Sequence, residues 1–141
     1  MASVVFDSFI ADVFAGNCNT THSYKAMLVT SAYTEDRGAH SKRSSITNEV
    51  TGTGYTAGGA TVTLTAAVNT TTHKLTLTIG TATWATSTIT ARKLVIYRAR
   101  GGSSSVDELV ACVDNGADLV SSASTMTWNA STWEIPLPAP A

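Results

Sequence analysis

Ala60-Thr-Val-Thr-Leu-Thr-Ala-Ala-Val68 and Lys74-Leu-Thr-Leu-Thr-Ile79 decide the fold class. Side chains leave a strand toward alternate faces, so a period of two marks a strand with one buried face. In the first stretch Val62, Leu64, Ala66 and Val68 take the inner face while Thr61, Thr63 and Thr65 point outward. In the second, Leu75, Leu77 and Ile79 face inward. The polar residues 69–73 between them predict an antiparallel hairpin with a longer loop. Threonine, roughly one residue in six of this chain, is β-branched and fits a pleated, half-exposed face.

Working outward, Ala91-Arg-Lys-Leu-Val-Ile-Tyr-Arg98 places Leu94 and Ile96 on one face and Val95 and Tyr97 on the other. Two apolar faces predict a strand central in its sheet. Residues 24–31 form a compact apolar run and predict another buried strand, as do residues 108–113, closed by Asp114-Asn-Gly116 as a turn. Residues 124–128 and 133–137 suggest a last hairpin. Gly52, Gly54, Gly58 and Gly59 mark tight bends around Tyr55. At the start, Val5, Phe6, Phe9, Ile10, Val13 and Phe14 recur at helical spacing, which predicts an amphipathic helix over residues 5–15 stopped by Gly16 and Asn17. The prolines at 136, 138 and 140 lack the N–H that a ladder needs, so residues 136–141 are expected as an edge or an extended tail.

These elements predict one domain, residues 1–141, whose body over residues 24–135 is an antiparallel β-sandwich or jelly-roll-like barrel with one short N-terminal helix. The length of 141 residues supports one real hydrophobic core. A net charge of −1 gives no electrostatic footprint for nucleic acid or an anionic membrane. Only 13% of residues are charged, about half the usual share of a soluble domain. Hydroxyls therefore replace charges on the surface, and covering them with a partner costs less than covering ions. No apolar run reaches the roughly 20 residues of a membrane span, and the opening segment carries Asp7 and Asp12 without a basic start, unlike a secretory leader. Cys18 and Cys112 match no C-x-x-C spacing and are expected as buried free thiols. The N-x-S/T triplets at Asn19, Asn69 and Asn129 arise readily in a Thr-rich chain.

No catalytic constellation emerges. The glycine-rich segment lacks a P-loop ending, His22, His40 and His73 are isolated, and no serine sits in a nucleophile elbow. Neither a cofactor nor a metal is expected. Trp84, Trp128 and Trp133 could line a sugar-binding face, but in a β-sandwich of this size they are expected in the core. Residues 33–45 gather Glu35, Asp36, Arg37, His40, Lys42 and Arg43 in what is expected to be a long exposed loop.

The runs at residues 24–33, 40–43 and 46–59, with Trp84 and Ser87-Thr-Ile-Thr-Ala-Arg92 through Tyr97, resemble small virion-associated structural proteins of tailed bacteriophages, which are encoded near the capsid genes. The resemblance spans roughly residues 6–116. It implies a capsid decoration, or cement, protein that stabilises the assembled head, with the major capsid protein and further copies of itself as partners. It also implies a virion location after synthesis in the host bacterial cytoplasm, and it brings no catalytic residues. Candidate contacts are Phe6, Phe9 and Ile10 on the helix, Arg37, His40, Lys42 and Arg43 in the charged loop, and Pro136 and Pro138 in the tail. A neck, tail or fibre component, or a receptor- or carbohydrate-binding module, is the alternative.

Overall fold

The alternating stretch at residues 60–68 is divided between two sheets, and that division organises the molecule. A computed structural model describes residues 3–137. In chain order the elements are β1 (Val4–Val5), α1 (Ser8–Phe14), β2 (Tyr24–Val29), β3 (Ala60–Val62), β4 (Leu64–Asn69), β5 (Lys74–Ile79), β6 (Ala82–Arg98), β7 (Leu109–Trp128) and β8 (Ser131–Pro136). A large antiparallel sheet has the order β1-β7-β6-β2-β3, and a small one the order β4-β5-β8. The chain passes between them three times: at Thr63, at Gly80 and Thr81, and at Asn129 and Ala130.

Gly80 makes the first two corners compatible. Its N–H donates to the Thr63 carbonyl at 2.9 Å, and a Cβ there would lie 2.4 Å from Thr63 Oγ1. The expected hairpin is present, with Leu64 opposite Ile79, Ala66 opposite Leu77 and Val68 opposite Leu75. The β6 strand does lie at the centre of its sheet, between β7 and β2.

Because strands β2 and β6 are apolar on both faces, two cores form. Between the sheets, Ala26, Leu28, Leu94 and Ile96 meet Leu64, Leu77 and Ile79, with Phe9 of α1 closing the side. Behind the large sheet, Met27, Val29, Val95 and Tyr97 pack under Phe6 and Tyr33. Each fully buried aliphatic side chain contributes about 1.5–3 kcal/mol of transfer free energy. The fold is thus the expected mainly β, two-sheet, sandwich-like body with one short helix.

Three local expectations change. The N-terminal helix is shorter than residues 5–15: Val4 and Val5 pair with Cys112 and Ala111 as β1, and Phe6 is fully buried in the rear core. An edge pairing and a core contact there outweigh a helical turn that would expose backbone groups. At its far end the helix stops where expected, with the N–H groups of Ala15, Gly16 and Asn17 returning to carbonyls of α1. Asp114-Asn-Gly116 does not reverse the chain. Lys93 pairs with Asp114 and Ala91 with Leu119, so residues 115–118 bulge out of one continuous strand. The segment expected at 124–128 as one arm of a last hairpin is the distal part of β7, antiparallel to residues 82–87 of β6, and its expected partner, in β8, crosses to the small sheet and pairs with β5 instead.

Candidate interaction surface

The charged loop is tied inward rather than displayed. Glu35 pairs with Lys93, both side chains at most 5% exposed, and Lys93 Nζ also donates to the Tyr33 carbonyl at 2.9 Å. Tyr33 Oη and His40 Nδ1 lie 3.0 Å apart, with the rings stacked. Arg43 donates from Nε to Asp107 Oδ2 at 2.7 Å, and its guanidinium lies 5.0 Å over the Tyr97 ring. Lys42 bridges Glu108 through the backbone. Arg37 remains outside, in an exposed ion pair with Asp7 at 2.8 Å.

The reason is the acidic pair at the entrance to β7. Asp107 and Glu108 are buried, and buried carboxylates require charge-assisted donors. Arg100 Nε donates to both Glu108 oxygens, at 2.7 and 3.0 Å, and Arg98 lies 3.8 Å away. Burial alone raises the Glu108 pKa, but the Arg100 hydrogen bond and the neighbouring cations outweigh it and hold the carboxyl below its usual range. Asp114 behaves alike: burial opposes ionisation, while the Gly116 N–H and Arg92 win and lower the pKa. The contacts span the N-terminal segment, the loop and two strands.

The glycine-rich segment is equally occupied. Glu49 Oε1 accepts from Tyr55 Oη at 2.8 Å and from the Gly58 N–H at 2.6 Å, while Tyr97 Oη donates to the Gly58 carbonyl at 2.6 Å. A Cβ on Gly59, where φ is +82°, would lie 1.8 Å from the Ala26 carbonyl oxygen. A side chain at position 59 therefore has no room where the segment meets β2. Among the described residues no three His, Cys, Asp or Glu side chains gather as metal ligands, and no helix is long and apolar enough to cross a membrane. Both thiols are free and buried. Burial, then Glu108 and Asp12, push Cys18 up to about 11, and burial with Glu35 pushes Cys112 up to about 12.

Of the candidate contacts, Phe6 and Phe9 are at most 1% exposed; they are core side chains, and a surface role passes from them to Ile10, Val13 and Phe14. Phe14 is 88% exposed. Arg43 is an internal partner and His40 is partly covered by Tyr33. Arg37 and Pro136 lie at the surface, Lys42 is partly exposed, and Pro138 lies outside the described residues. Trp84 and Trp128 are buried, and Trp133 packs edge-on against Phe9.

Sequence periodicity missed Val68 and Val120, exposed by 59% and 71%. Val68 shares the inward parity of Leu64 but lies where the small sheet runs past its cover. Exposed apolar side chains also flank a cavity of about 220 Å³ between α1 and the small sheet, lined by Ile10, Val13, Ala66, Leu75 and Ile135. No protein-family model, curated protein or solved structure matches this chain.

Proposed function

We propose that this chain is a structural protein of a tailed-phage particle, specifically a capsid decoration protein that binds and stabilises the assembled head through the major capsid protein. The observation that carries the reading is the uncharged surface of the long β6–β7 ribbon. No Asp, Glu, Lys or Arg occurs at residues 80–91 or 119–133. Thr83, Thr88, Thr90, Ser122 and Thr125 are exposed there, beside Val120. Such a surface is cheap to desolvate, whereas the charged loop is committed to internal partners. A body held by two cores and inward ion pairs is rigid enough to present that ribbon in one geometry. The resemblance of the central block to virion-associated proteins is what favours a phage particle over another assembly. On a symmetric lattice, weak contacts repeated by neighbouring copies add up to strong retention.

The reading is tested on purified particles by quantitative mass spectrometry. On the order of hundreds of copies per particle are expected from a lattice-bound protein; a dozen or fewer would move the protein to the neck or tail. Val120→Glu should lower occupancy by at least about tenfold, the scale of a desolvated charge, while the thermal melt of the isolated protein stays unchanged. Unaltered occupancy would remove the ribbon as the contact.

A further inference from the structure

A sheet edge is a row of unpaired backbone groups, and folded proteins blunt it with short strands, bulges, charges or proline. The large sheet ends on β1 and β3, of two and three residues. The free flank of β7 is broken by bulges, one with Ala123 at φ +47°. The small sheet ends on β8 and β4. In β8 the His73 carbonyl accepts from the Leu137 N–H, which fixes the alternation and turns the backbone of Thr132, Glu134 and Pro136 outward. That edge carries a charge and a residue without a donor.

The β4 edge has none of these devices. It is six residues long, free of proline and charge, in regular register with β5 and exposed from Thr65 to Asn69. The stretch from Val50 to His73 contains no Asp, Glu, Lys or Arg. Thr63 and Gly80 form a hydrogen-bonded pair, so Thr65, Ala67 and Asn69 direct their backbone groups to β5. Leu64, Ala66 and Val68 direct theirs to the open side.

We propose that β4 is a self-association edge on which two copies of this chain pair antiparallel about a two-fold axis through Ala66. The occupant follows from self-complementarity. Pairing Ala66 with itself and Leu64 with Val68 matches every outward donor to an outward acceptor, giving about six hydrogen bonds. The same register keeps inner faces together, because opposed residues point to one side of a sheet. The two three-stranded sheets then form one continuous sheet. α1 lies over Leu64 and Ala66 on that inner face, with Val13 among the residues lining the gap, so Val68 of the second copy arrives on the Val13 side of the helix. The pairing is isologous and closes at two. It is a property of the isolated chain and does not depend on what the ribbon binds.

Analytical ultracentrifugation of the full chain should give a dimer at micromolar concentration, and Val68→Lys, at an exposed site, should give a monomer whose melt matches that of the wild-type chain at a dilution where both are monomeric. Register is tested by cysteine scanning: Ala66→Cys should cross-link under mild oxidation, because residues on the axis lie about 5.5 Å apart between Cα atoms. Ala67→Cys, which faces Thr65 of the second copy, should cross-link at least about tenfold more slowly, since Cα atoms beyond about 7 Å cannot be bridged without backbone movement. A monomeric wild-type chain, a dimer that survives Val68→Lys, or equal cross-linking at both positions would each overturn the proposal.

Discussion

At the residue scale, two arginines of the same loop differ in kind. Arg37 and Asp7 form a pair with both side chains more than half exposed, and such pairs contribute at most about 1 kcal/mol. Arg43 faces an Asp107 side chain that is 2% exposed. Removing one partner of a buried pair strands the other charge, at roughly 3–5 kcal/mol. Arg43→Ala should therefore lower the urea midpoint strongly and Arg37→Ala barely; equal shifts would show that Asp107 is held by the Arg100 N–H and water instead. Nothing in the one-dimensional pattern separates the two residues. Their partners, Asp107 and Asp7, lie 64 and 30 positions away, and burial of the acid, which sets the energy, is a property of the closed sheet. The charged loop was therefore legible as a cluster but not as a clamp.

At the element scale, legibility followed the physics of each signal. Alternation reports which face is buried, so the β4–β5 hairpin and the two-faced β6 strand were readable from residues 60–79 and 91–98. It does not report which sheet does the burying. The corner at Thr63 preserves the parity of Val62 and Leu64, both buried, although they belong to different sheets. Likewise Asn115-Gly116 has real turn chemistry, with the Asp114 carboxylate accepting from the Gly116 N–H at 2.8 Å, but β6 remains as a template on both sides and the chain resumes its strand. Helical spacing in α1 identified an apolar face without distinguishing its covered half from its open half. Phe9 and Phe14 measure that distinction. Phe9→Ala should cost about 3–5 kcal/mol through lost burial and the cavity left behind, whereas Phe14→Ala should change stability by less than about 0.5 kcal/mol. Chemical denaturation of both variants, measured at a dilution where the chain is monomeric, decides it; comparable losses would place Phe14 in the core.

At the scale of the whole molecule, stability is coupled to acidity through both ends of the first stretch of β7. Glu108 joins the 99–108 connection to Arg100 and to the loop at Lys42, and Asp114 joins the bulge to Arg92 of β6. Both have folded-state pKa values below their ordinary values of 4.5 and 3.8. A depressed carboxyl binds its proton more readily in the unfolded chain, so unfolding takes up protons and acid favours it. The contribution is complete above the ordinary values and is lost as pH falls through the depressed ones. Urea stability should therefore stay level from pH 7 to about 5 and then decline, steepening below about 4. Glu108→Gln and Asp114→Asn should each begin lower at pH 7, because the arginine partner keeps its charge and loses its counterion, yet lose less on acidification. If the acid slope of both variants matches that of the parent chain, the proton-linked groups lie elsewhere in the molecule. If only Glu108→Gln flattens it, the link between the loop and β7 carries the acid sensitivity, and the bulge at residues 115–118 is held by its backbone alone.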